Sequence, residues 1–232
     1  MKMMNKKVLA SAVAASAIAL SAMAPVANAA EVSASVGAAN MYYWRGLDLG
    51  NGDAAISGDI TVSAGGFYAG IWGSSGDAAL GQEYDLYIGY GGEVGSFTYD
   101  VSLWNYNYPS ASETTSWIDW ENQQWVEETM DTSPDIGDLT EAVVSLGFGP
   151  VAVTYYHGLE DLDEYWYATV GATFDKFSVT YGLHEDDLAH VDLGYAFNDN
   201  LSFTIGQVVD DVDGGYDDDT KFIVSLSLPI EF

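Results

Sequence analysis

The sequence predicts an all-β chain closed on itself as a transmembrane antiparallel up-and-down β-barrel of about twelve strands, and three observations carry the prediction. The last stretch, 221–232, places Phe222, Val224, Leu226, Leu228, Ile230 and Phe232 at every second position, with Ser225, Ser227 and Glu231 between them. That period of two belongs to a strand whose two faces meet different surroundings, and about ten residues is the length that crosses a bilayer when tilted. Segments of similar length and alternation recur through the chain. The connections between them alternate long and short, as in barrels with tight periplasmic turns and longer extracellular loops.

Taken in order, the strands are expected at about 32–44, 55–64, 67–73, 83–91, 96–106, 139–148, 151–157, 165–174, 177–184, 189–197, 201–209 and 220–232. Each rests on alternation bounded by turn residues. Gly65-Gly66, Gly149-Pro150, Asp175-Lys176 and Asn198-Asp199-Asn200 are short connections, rich in residues that accept turn geometry. The longer connections are read at 45–54, 74–82, 107–138, 158–164, 185–188 and 210–219. In strand 177–184, Phe177, Val179, Tyr181 and Leu183 share one face, with Ser178, Thr180 and Gly182 opposite. The apolar faces are expected to meet lipid and the polar faces the lumen. Phe67, Phe97, Phe148, Phe174, Phe177, Phe197 and Phe232 fall at the short-turn ends, where an aromatic girdle is expected.

The N-terminus opens with Lys2, Lys6 and Lys7, continues with an Ala-rich apolar run and reaches Ala27-Asn28-Ala29. This is the pattern of a secretory signal peptide over 1–29, which leaves 30–232 as one barrel domain. Beyond 29 the basic residues are Arg45, Lys176 and Lys221, against 35 acidic residues in the chain. That balance excludes partners held by attraction to phosphate, nucleic acid above all. There is no cysteine, so disulfide scaffolds, thiol catalysis and thiolate metal sites are excluded.

Alternation places Asp59, Asp85, Asp100, Glu141 and Asp192 toward the lumen, with Arg45 near the outer end. Carboxylates at membrane depth are costly unless wetted or paired. They therefore line either an aqueous, cation-favouring pathway or a filled core in which they bond to Tyr, Ser and Arg45. Large rings, among them Tyr43, Tyr87 and Trp104, share that face. They either stack on flat solutes or narrow the tube by filling it. A tube of about twelve strands lies between the filled eight-stranded case and the open channel of sixteen to eighteen. The segment 107–138 carries Trp117, Trp120 and Trp125 among acidic residues. It is expected to be a long extracellular loop, folded over or into the mouth, or exposed as a cap. The acidic loops, notably 160–164, 185–187 and 210–219, are read as solvated surface or as weak Ca²⁺ or Mg²⁺ ligands, without the spacing of an EF-hand. No histidine pattern of a metalloprotease is present and no His has a Ser two residues along, so the chain is read as non-enzymatic and without a cofactor.

The runs 40–46 (NMYYWRG), 66–72 (GFYAGIW), 83–90 (EYDLYIGY) and 97–101 (FTYDV) resemble the TorF family of proteobacterial porins. The match is best over the N-terminal half of the mature chain. It implies an outer-membrane location and assigns no residue a role. The expected function is a porin-like channel for passive diffusion of small solutes, favouring cations, in contact with outer-membrane lipid and lipopolysaccharide. The alternative is a non-conducting structural or surface-interaction barrel acting through its acidic, Trp-containing loops.

Overall fold

The computed structural model describes residues 30–119, 124–131, 133–212 and 214–231. The segment read as a signal peptide, together with Trp120 and Phe232, lies outside them. Twelve strands form a closed barrel: β1 (Glu31–Ala39), β4 (Ala55–Ala64), β5 (Phe67–Asp77), β6 (Gly81–Val94), β7 (Phe97–Asn107), β10 (Leu139–Phe148), β11 (Val151–Glu160), β12 (Trp166–Phe174), β13 (Phe177–His184), β14 (Ala189–Ala196), β15 (Leu201–Asp210) and β16 (Lys221–Ile230). Two small hairpins stand outside this sheet, β2 (Tyr43–Trp44) with β3 (Leu47–Asp48), and β8 (Ser112–Asp119) with β9 (Gln124–Asp131). Every pairing is antiparallel, and β1 closes the ring on β16 with Ala34 opposite Ile230 and Ala39 opposite Ser225. Closure removes the unpaired edge that an open sheet would present. Among the described residues no helix is long and apolar enough to cross a membrane.

The wall is inside out relative to a water-soluble barrel. Ile60, Ile88, Val101, Val153, Leu193 and Leu228 lie exposed on the outer surface, while their strand neighbours Asp59, Asp100 and Asp192 are turned inward and covered or half-covered. A water-soluble fold buries its large aliphatic side chains and exposes its carboxylates. Here the period of two sorts them the other way. Phe67, Phe148, Phe174 and Phe177 ring the short-turn rim and are more than half exposed.

Two expectations about strand limits are corrected, and the alternatives open for 107–138 are narrowed. The first strand was expected to run to Trp44, but β1 ends at Ala39, and the chain turns inward to make the β2–β3 hairpin. The long connection expected at 74–82 is the tight turn 78–80, because β5 and β6 extend beyond their expected ends. The segment 107–138 contains the β8–β9 ribbon, with Trp117 opposite Val126 and Ile118 opposite Trp125. Trp117 and Trp125 are exposed, and among the described residues no barrel strand pairs with the ribbon. It is the earlier loop, 40–54, that enters the tube.

Interior rings fit because small residues face them. A Cβ on Gly70 of β5 would lie 2.3 Å from the Tyr87 hydroxyl and 2.5 Å from the Ile60 carbonyl. Tyr87 occupies that space and stacks on Trp104 at 4.3 Å between centroids. Gly70→Val is therefore expected to drive Tyr87 off its neighbour and to lower stability by about 1–3 kcal/mol, measured by urea unfolding of the refolded protein. Unchanged stability would show that this packing is loose.

Candidate functional site

The site is built on the tip of the first loop. In the β2–β3 hairpin Tyr43 pairs with Asp48 and Trp44 with Leu47, leaving Arg45-Gly46 as a two-residue turn. Both turn residues have positive φ, 48° at Arg45 and 92° at Gly46, the geometry of the type I′ turns that join tight hairpins. Gly46 is also required for space, since a Cβ there would meet the His190 ring at 2.7–2.9 Å. This turn carries Arg45 to a position where only 2% of it is exposed.

Arg45 is the sole arginine of the chain, and the interior is arranged to receive it. Its Nη1 donates to Glu141 Oε1 at 2.8 Å and its Nη2 to Oε2 at 2.6 Å, a bidentate fork on a carboxylate that is itself 1% exposed. Four rings surround the guanidinium carbon: Trp44 and Tyr156 at 4.3 Å, Tyr167 at 4.7 Å and Tyr165 at 5.6 Å. Aromatic faces carry negative charge density and attract a cation most strongly where water is excluded. Burying two charges is costly, and the penalty is offset when the geometry is bidentate and the remaining lone pairs are satisfied. The Tyr106 hydroxyl supplies one such bond to Glu141 Oε2 at 2.5 Å. His184 Nε2 donates to the Arg45 carbonyl at 2.9 Å, while the Tyr165 hydroxyl lies 3.0 Å from His184 Nδ1 and accepts from Arg45 Nη1 at 3.1 Å.

Two further tyrosines pin the loop. Tyr43 donates to Asp192 Oδ1 at 2.5 Å. His190 also reaches Asp192 through Nδ1 at 3.2 Å, and the Tyr167 hydroxyl lies 2.8 Å from its Nε2. Tyr42 donates to Glu83 Oε2, whose Oε1 accepts from Tyr108 at 2.7 Å. The loop is thus tied to β6 and β10, with only β7 between them, and to β14 on the opposite side of the barrel from β6.

Beneath it lies a cavity of about 410 Å³ with two unlike walls. Ser35, Ser57, Asp59, Thr180, Thr204 and Ser225 make a wall of short polar groups that are half-exposed. Trp72, Tyr87, Trp104 and Tyr106 make the other, with Glu83 and Asp85 among them.

The residues singled out from sequence fall as follows. Glu141 and Arg45 form the buried pair, and Asp192 holds Tyr43. Asp59 accepts from Ser35 within the cavity wall. Asp100 accepts from Tyr68 at 2.8 and 2.9 Å and lies outside that wall. Asp85, Tyr87 and Trp104 line the cavity. Sequence reasoning assigned no role in the lumen to Tyr42, Glu83, His184 or His190. Glu83 stands two residues from Asp85 and so shares its face, a signal present in the same alternation. His190 stands two residues from Asp192, and His184 continues the face of Ser178, Thr180 and Gly182, so alternation turns both inward as well; their partners depend on the inward hairpin, which alternation does not encode. Among the described residues, the only group of three acidic or His side chains with metal-ligand spacing is Asp217–Asp219, exposed in the last long loop.

Replacing Arg45 by Ala strands Glu141, and replacing Glu141 by Ala strands Arg45. Each single change is expected to cost about 3–5 kcal/mol and the double change much less than their sum, measured by denaturant unfolding as a double-mutant cycle. Additive losses would show that the pair is not coupled.

No curated protein matches the chain. The TorF-type resemblance is finer than the family match and remains a resemblance. A family model covers residues 23–223, and the chain belongs to that family, described as bacterial protein of unknown function (Gcw_chp).

Proposed function

We propose that this protein is an outer-membrane, porin-like barrel of a Gram-negative bacterium. It passes small solutes without catalysis and favours cations, and the inward first loop narrows its lumen. The observation that carries this reading is the inversion of the wall. Aliphatic and Phe side chains cover the outside, while Asp59, Glu83, Asp85, Asp100 and Asp192 lie inside with the one interior arginine already neutralised by Glu141. An apolar outer band with aromatic rims suits a bilayer, where a closed sheet satisfies every backbone group. Its contacts there would be outer-membrane lipid and lipopolysaccharide. Interior carboxylates without a matching cation raise the local concentration of positive solutes. The wall of Ser, Thr and Gly on β1, β4 and β13–β16 supports a wetted path beside the ring-filled half.

A second reading is supported by the same loop. Tyr42, Tyr43 and Arg45 tie it across the tube, which favours a closed barrel acting through its surface, including the exposed β8–β9 ribbon.

Planar-bilayer recording of the purified protein in potassium chloride separates the two. The channel reading expects small, cation-selective conductance steps, larger steps for Arg45→Ala, and weaker selectivity for Asp59→Asn combined with Asp192→Asn. Anion preference would reject it. Silence from both the wild type and Arg45→Ala would favour the closed barrel.

A further inference from the structure

We propose that the lumen contains a binding site for a small organic cation, an ammonium or guanidinium group, formed by Asp85 against Trp72 with Tyr42 and Tyr106 beside them. The inference deepens the channel reading by naming a ligand class for its lumen, and it shares with that reading only the entry of solutes into the barrel.

Asp85 is the anomaly that calls for a partner. It is 5% exposed, lines the cavity, and its Oδ1 receives no hydrogen bond. The charged groups that act on it, Glu83 and Glu141, are both acidic, and its one side-chain contact of that kind, with Glu83, leaves Oδ1 without a donor. Arg45 does not serve it: its fork is turned to Glu141 and Tyr165. A buried carboxylate oxygen with neither donor nor cation is among the costliest groups a fold can hold.

The surroundings select the kind of cation. A metal ion such as Ca²⁺ requires six or more oxygen ligands. Both oxygens of Glu83 already accept from tyrosines, Tyr42 and Tyr108. What remains around Asp85 is aromatic. Trp72 stands directly across from it on β5, with Asp59 on the other side of Trp72. Tyr42 faces Trp72 with ring centroids 6.3 Å apart, and Tyr106 is the cross-strand partner of Asp85 on β7. One carboxylate flanked by electron-rich faces is the chemistry that recognises alkylammonium groups. The fold already uses this chemistry for a cation of its own, since Arg45 rests on four rings and a bidentate carboxylate. A cavity of about 410 Å³ is within the range of small-molecule sites, and its half-exposed Ser and Thr wall gives access from solvent.

The test uses the full-length protein in a neutral detergent, with folding verified by the heat-dependent shift in gel mobility. Tetramethylammonium is the probe, observed by saturation-transfer NMR of its methyl protons. Saturable binding is expected, weakened about tenfold in Asp85→Asn, the scale of one lost charge contact at 1.4 kcal/mol per decade. Trp72→Leu should also weaken it, and Asp217→Asn on the rim should leave it unchanged. The inference is overturned by absent saturable binding, by binding unaltered in folded Asp85→Asn, or by displacement by sodium or calcium at equal concentration. Because binding is read without flux, conductance without binding rejects this site alone, and binding without conductance rejects the channel alone.

Discussion

The structure depends on one guanidinium taken out of water. Arg45 is carried to the interior by a two-residue turn and meets there a single bidentate carboxylate and a box of rings. In a twelve-stranded tube the side chains of the wall do not by themselves fill the lumen, so something must either occupy it or leave it wet. The first loop occupies it on one side. It remains there because withdrawal would strand Glu141 in a low-dielectric pocket and unpair Tyr43 from Asp192 and Tyr42 from Glu83. Each of those acceptors is buried, so the contacts hold the loop chiefly through what their loss would leave unsatisfied.

That constraint divides the interior. On the side of β5, β6, β7 and β10–β12, rings interleave with small residues and leave little space: Tyr87 stacks on Trp104, while Val143, Tyr156 and Tyr167 form a buried apolar cluster. On the side of β13–β16, β1 and β4, short hydroxyls and glycines line the open wall of the cavity that the rings of β5–β7 close from across the tube. The acidic residues are spread over both sides, Asp85 and Glu141 on the ring-filled side and Asp59 and Asp192 on the other. Glu141 and Asp192 are bound up with the loop, whereas Asp59 and Asp85 border the cavity. Under the channel reading proposed above, a negative lumen that is part filled and part open would suit small positive solutes better than large or anionic ones.

Most of the wall was legible in the sequence. A period of two is a direct record of a two-faced sheet, so β4, β10 and β13 were delimited to the residue. The inward set Asp59, Asp85, Asp100, Glu141 and Asp192 follows from the same count. What alternation does not encode is how the loops fold. Tyr42, Tyr43 and Trp44 continue an apolar strand-like run, and only the positive φ values of Arg45 and Gly46 reveal a hairpin tip. The tryptophans near 117–125 left an inward plug and an exposed cap equally open, because a Trp-bearing ribbon and a Trp-bearing plug have the same composition. The pairing of Arg45 with Glu141 spans 96 residues, and nothing local in either segment announces it.

Arg45 sits inside the barrel on Glu141, and the arrangement of the interior follows from that contact. As the sole arginine, it can be labelled selectively with ¹⁵N in a protein whose carboxylates carry ¹³C, and solid-state NMR of the protein in lipid bilayers reads the dipolar coupling between them. Strong coupling from both Nη nitrogens to one carboxylate carbon, lost in Glu141→Gln, is the result expected from bonds of 2.6 and 2.8 Å. Absent coupling, with the guanidinium protons exchanging freely with water, would place the loop outside the tube and contradict the account.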